Sequence, residues 1–288
     1  AVQDTLDSLN FMVIKYDTNG VKQWQTEYNG TLGGDDIPTT LKVAVDQNIY
    51  VTGNTKDNST KLRDVVLLKF NNAGTQQWKQ TYDIDHSDDI GARMVFHPIT
   101  GRIFVGGGND DVLDDGKYVV LKYSTSGSLL SEKVDSTGVS GFDHPINLAI
   151  DNSGEVLVCG RKSNDAFVVK LDDQLDTIWT FTYDYDGGED QYNDIDVGAA
   201  NKIYLTGYGT NSKAGTDLII HALNSSGGVL WDKSLSGNDR SGTSIGSQIT
   251  EVDNKLFVGG QMVDENDDLA LSLFDTSGTL LWLAEFGE

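Results

Sequence analysis

Carboxylates carry most of the chemistry that this chain of 288 residues could perform. One series comprises Asp35 and Asp36, Asp88 and Asp89, Asp143, Glu189 and Asp190, and Asp239. A second includes Asp57, Asp64, Asp110, Asp111, Asp114, Asp115, Asp165, Asp217, Asp264, Glu265, Asp267 and Asp268. Crowded carboxylates can divide acid and base roles at a glycosidic bond, or ligate a hard cation. They can also simply cap turns and keep a surface soluble. The densest oxygen clusters are Asp110, Asp111, Asp114 and Asp115, and Asp264, Glu265, Asp267 and Asp268. Neither has the spacing of a known calcium loop. If either holds a cation, Ca²⁺ is the first expectation, since no soft ligands are at hand.

Other residue types offer less. Gly242-Thr243-Ser244-Ile245-Gly246 matches the G-x-S-x-G of a nucleophile elbow, but no helical pattern follows it, so no catalytic serine is expected. His86, His97, His144 and His221 show no i, i+2 or i, i+4 pairing for a metal. Cys159, the single cysteine, excludes an internal disulfide and reads as a small hydrophobe inside a strand. No glycine loop that would cradle phosphate is present.

The elements that must position these residues come from an internal repeat. Trp24, Trp78, Trp179, Trp231 and Trp282 share one register, with Ser131 in the skipped place and a mean repeat of about 52 residues. Four residues before each position stands Gly20, Gly74, Gly127, Gly227 or Gly278, and in the fourth copy Leu175. Three residues earlier again come Asp17, Asn71, Ser124, Asp172, Asn224 and Asp275, which is β-turn chemistry. An apolar strand precedes each turn, for example VVLLKF and AFVVKL, and segments such as YVTG, FVGG and LVCG mark another. One period therefore holds four short antiparallel strands, a to d, and four such strands per repeat predict an all-β fold, a β-propeller. One tryptophan per repeat fits packing between blades better than sugar stacking. The d-to-a and b-to-c connections, which carry the two acidic series, fall on one face.

The stretch DAFVVKLDDQLDTIW followed by YDYDGGEDQYNDIDVGAANKIYLTGYG resembles the SBBP-type β-propeller repeats of bacterial secreted and surface proteins. A weaker likeness, through FDTSGTLLW, is to quinoprotein-type blades, although aspartate and glycine stand one residue too close for that pattern. The first resemblance implies export, to the cell surface or outside it, with the periplasm as the alternative. It covers the chain from about residue 10 and speaks for fold far more than for activity.

Six c–d halves but five a–b halves give six blade positions: five complete four-stranded blades and a half blade at the N-terminus, with 22 strands expected. A single domain over 1–288 is expected, with repeats near 10–30 (half), 31–84, 85–138, 139–186, 187–236 and 237–288. Flanking sequence or a larger assembly would complete the half blade. The formal charge of −23 argues against nucleic acid and anionic membrane as partners. No apolar run is long enough for a membrane-spanning helix. The leading expectation is a non-enzymatic module, binding a protein or polysaccharide on its acidic loop face or acting as a scaffold. The alternatives are a structural part of a surface assembly and a carbohydrate-active enzyme using the loop carboxylates.

Overall fold

The computed structural model describes residues 2–3, 8–31, 33–56, 62–84, 86, 88–109, 117–136, 145–237, 241–263 and 267–286. Contacts divide the chain into two compact units, Ala1–His144 and Pro145–Glu288. In the first unit, β1 (Val2–Gln3), β2 (Leu9–Tyr16) and β3 (Lys22–Tyr28) form a three-stranded sheet. Two four-stranded sheets follow: β4 (Ile37–Val43), β5 (Ile49–Thr55), β6 (Asp64–Phe70) and β7 (Gln76–Tyr82), then β8 (Asp89–Phe96), β9 (Ile103–Asn109), β10 (Lys117–Tyr123) and β11 (Leu129–Ser136).

The second unit holds three more four-stranded sheets. They are β12 (Pro145–Ile150) to β15 (Thr177–Tyr183) by way of β13 (Val156–Lys162) and β14 (Asp165–Leu171); β16 (Asp190–Val197), β17 (Ile203–Thr210), β18 (Thr216–Leu223) and β19 (Val229–Leu235); and β20 (Ile245–Val252), β21 (Lys255–Val263), β22 (Asp267–Asp275) and β23 (Leu280–Phe286). Every sheet is an antiparallel meander in chain order, as propeller blades are. Among the described residues the single helical element is a 3₁₀ turn at Ala199–Asn201. One strand more than expected arises because β1 pairs with β2 through Val2↔Asn10 and Gln3↔Leu9, giving the half blade a short third strand.

The c strands β6 and β14 are buried over nearly their whole length. Clusters such as Tyr50, Leu67, Met94, Val105 and Leu121, or Leu157, Val168, Ile195, Leu205 and Ile219, fill the space between adjacent sheets of one unit. The turn reading holds at atomic detail. Asp172 Oδ1 accepts the N–H groups of Gln174 and Asp176, both at 2.9 Å, and Asn224 does the same for Ser226 and Gly228. The turn glycines take positive φ, for example +82° at Gly227.

Gly74, Gly127, Gly227 and Gly278 each roof the tryptophan of an earlier blade: a Cβ on Gly227 would lie 2.9 Å from Trp179 Cδ2, and one on Gly127 3.0 Å from Trp78. The indoles are therefore half-buried between blades, less than the nearly full burial that packing alone suggests, and Trp282 is 39% exposed. Ser244 is buried at the start of β20, where Thr216 Oγ1 donates to its carbonyl, so it is no nucleophile elbow.

Candidate functional site

The carboxylates that open the a strands are the structural surprise. Asp36, Asp89 and Asp190 were expected on an open acidic face, yet all three are fully buried. Each is drawn under its own d-to-a loop by backbone donors that would otherwise lack partners. Asp36 accepts from Gly30 N at 2.6 Å, Thr55 Oγ1 at 2.7 Å and Lys56 N at 3.3 Å. Asp89 accepts from Ile84 N at 2.6 Å. Asp190 accepts from Tyr185 N at 2.7 Å and Thr210 N at 2.9 Å. Their own N–H groups donate to the start of a neighbouring c strand, Asp36 to Leu9 O at 2.6 Å, and Asp89 to Arg63 O and Asp190 to Asn164 O, both at 2.7 Å. These aspartates thus clasp one blade to the next.

Around two of them the acids converge. Asp64, Asp83 and Asp89 in the first unit, and Asp165, Asp184 and Asp190 in the second, each bring carboxylate oxygens within 4.8 Å of one another. The two sets occupy the same repeat positions: the first residue of c, the residue after d and the first residue of a. Sequence reading named Asp64, Asp89, Asp165 and Asp190 but passed over Asp83 and Asp184. The signal was present, because Thr81–Asp89 and Thr182–Asp190 share T-Y-D-x-D-x-x-[DE]-D.

The surroundings of the two centres differ. In the first, His86 Nδ1 lies 2.7 Å from Asp83 Oδ2, and the Arg63 guanidinium grips Asp88 at 3.0 and 3.2 Å. Burial raises the Asp88 carboxyl, but the bonds from Arg63 outweigh it and hold the group below the usual carboxylate range. In the second, Asp184 is exposed and Asp165 half-buried, while Arg161 pairs with Glu189 at 2.9 Å. Burial pushes Asp190 up to about 6; the Tyr185 and Thr210 amides oppose this, and the charges of Asp184 and Asp165 add to it. Beside them Tyr185 donates to Asp217 Oδ2 at 2.6 Å, and Asn211 Nδ2 donates to Asp217 Oδ1 at 2.8 Å.

The remaining expected site residues fall in several places. Asp35 is exposed and accepts from Leu9 N at 2.9 Å. Asp110, Asp111, Asp114, Asp115, Asp143, Asp239, Asp264 and Glu265 lie outside the described residues. Asp267 and Asp268 begin β22. Among the described residues, the acidic centres form at the blade junctions, where no long acidic run marks them.

No protein-family model matches the chain, and no curated protein matches it. Among solved structures it is similar to 1,3Gal43A, an exo-beta-1,3-galactanase from Clostridium thermocellum, at 13% identity and a TM-score of 0.51, covering 93% of this chain and 64% of that one. It is also similar to the eukaryotic initiation factor, at 10% identity and a TM-score of 0.52 over 96% and 61%. A third similarity is to Drosophila Plexin A in complex with Semaphorin 1b, at 9% identity and 0.52 over 83% and 52%. The chain spans less than two thirds of each of these structures. At such identities the likeness is one of fold, and the chain is an all-β propeller of six blade positions. The expectation of a non-enzymatic module is corrected by the first likeness, to a galactanase; of the readings weighed, the carbohydrate-active enzyme is the one carried forward.

Proposed function

We propose that the protein is a carbohydrate-active hydrolase, exported as the SBBP-type resemblance implies, whose acid–base chemistry rests on Asp165, Asp184 and Asp190. The observation that carries this reading is the Asp190 carboxyl at about 6, with two other carboxylates whose oxygens lie within 4.8 Å. Neighbouring titratable groups pushed apart are what a site needs to hold an acid and a base at one pH. Asp190 is buried and keeps a proton in mild acid; it is a positioning residue for the charge of its neighbours. Asp184 faces solvent and is the carboxylate that a sugar or an attacking water meets, with Asp165 beside it. Cleavage breaks the anomeric C–O bond and adds water across it, the leaving oxygen taking a proton.

β-1,3-Galactan is the first substrate to try, with arabinan and other neutral glycans beside it. Release of reducing ends is measured from pH 4 to 8. Activity on at least one glycan is expected, and Asp184→Asn should lower its rate by about 10²–10⁴-fold, whereas Asp83→Asn in the other centre should leave it unchanged. No release from any glycan, or an Asp184→Asn enzyme as fast as the parent, overturns the reading.

A further inference from the structure

At the opposite ends of the strands, two a–b turns of the first unit enclose a separate cavity. One turn is closed by Ala44 N donating to Asn48 O at 2.9 Å, the other by His97 N donating to Arg102 O at 2.8 Å. The cavity between them measures about 450 Å³, and its walls include Val43, Val45, Tyr50, Phe96, Ile99 and Thr125. That is the size and apolar character of a site for a small molecule. Val45 and Ile99 stand 101% and 82% exposed at the turns, an arrangement that hydration alone does not favour.

Two buried polar groups at this place have no partner. Tyr50 is 1% exposed and its hydroxyl makes no hydrogen bond; the indole Nε1 of Trp78, edge-on to Tyr50 with centroids 5.8 Å apart, makes none either. The repeat shows what is missing. Trp24 Nε1 donates to Asn72 O at 3.0 Å, Trp179 Nε1 to Ser225 O and Trp231 Nε1 to Thr276 O, both at 3.1 Å. The matching carbonyl for Trp78, on Thr125, accepts from Lys69 Nζ at 3.0 Å but not from the indole. At the position of Tyr50 the next blade carries Phe104, which needs no partner. Buried donors left over beside a cavity call for an acceptor inside it.

We propose that this cavity binds a small uncharged molecule with a flat apolar body and a carbonyl-type acceptor oxygen. Asp46 in its wall and the chain's charge of −23 disfavour an anion. Lys69 Nζ, 5.2 Å from the Tyr50 ring centroid, disfavours a cation. The apolar body lies against Phe96, Val43 and Ile99, and the oxygen takes the Tyr50 hydroxyl. Tyr50 lies near the start of β5, whereas the Asp36 clasp grips Thr55 at its other end, so this site and the acidic junctions are apart.

Acetophenone is the probe, titrated into the ¹⁵N-labelled protein while the indole N–H signals are followed, with Trp78→Phe assigning the relevant one. Saturable movement of the Trp78 signal is expected, and Tyr50→Phe should weaken binding by about tenfold, one hydrogen bond's worth. Toluene, which lacks the acceptor, and benzoate, which is charged, should bind more weakly. No saturation, equal binding of toluene or benzoate, or unchanged affinity in Tyr50→Phe overturns the proposal. None of these readouts depends on hydrolysis.

Discussion

His221 and Asp190 titrate in opposite senses within the second unit. His221 lies in β18, 1% exposed, its Nδ1 3.0 Å from the Tyr192 hydroxyl and its ring edge-on to Tyr183. Burial lowers it to about 4, against a weaker upward pull from Asp232. A histidine whose folded pKa is depressed gives stability above its unfolded value, lost as pH falls from 6.5 towards 4. Asp190, raised to about 6, does the reverse: the folded state holds more protons between 3.8 and 6, so acidification there favours folding. Over pH 4 to 6 the two slopes oppose each other. His221→Leu, which loses the Tyr192 bond, should be destabilised at pH 7, and the gap to the parent should shrink by about 3 kcal/mol on going down to pH 4. Urea unfolding at several pH values measures it, and a constant gap would show that His221 does not stay neutral in the fold. None of this was legible in the sequence. There His221 is one polar letter in an apolar strand, and Asp190 one more loop acid whose burial depends on which amides it meets.

The repeat's elements were far easier to read, because turn chemistry and strand alternation are local. Asx turns at Asp17, Asp172 and Asp275 and positive φ at Gly20, Gly227 and Gly278 follow from residue type and spacing alone. What spacing concealed is that a glycine serves two ends. Gly227 must be left-handed, and it must also lack a side chain, because Trp179 lies beneath it. Gly20 has a similar φ, +78°, but nothing within 4 Å of an added Cβ. Gly20→Ala should therefore show the backbone penalty by itself, about 1–2 kcal/mol. Gly227→Ala should lose more, since the indole must shift or the turn must open. Thermal melts of the two variants separate these effects, and equal losses would mean that the roof over Trp179 adds nothing. The acidic junctions lay hidden for a related reason: Asp165 and Asp184 are brought side by side by the β14–β15 pairing of one blade, but Asp190 joins them only from the a strand of the next, a contact between repeats that no single repeat displays.

Across the whole molecule the charge acts as a field. At −23 over 288 residues, with Asp36, Asp89 and Asp190 placed inside, carboxylate repulsion weighs against the compact state. Only part of it is compensated locally. Lys170, buried in β14, is held by Asp151 at 2.8 Å and Glu155 at 2.6 Å, and Arg63 and Arg161 hold Asp88 and Glu189. Burial works against the charge on Lys170, but those two carboxylates outweigh it and raise its pKa, so Lys170 stays charged at neutral pH. Salt acts differently on the two populations. It screens exposed acids spaced about a Debye length apart, roughly 8–10 Å near physiological ionic strength, and leaves a buried trio almost untouched. With 44 acids against 21 bases, screening should relieve more repulsion than it removes attraction, so the melting temperature should climb between 10 mM and 500 mM NaCl at pH 7 and change little near pH 2.5, below the ordinary carboxylate range of about 4. A melting temperature that falls with salt at pH 7 would mean that surface ion pairs, and not repulsion, dominate the field of this propeller.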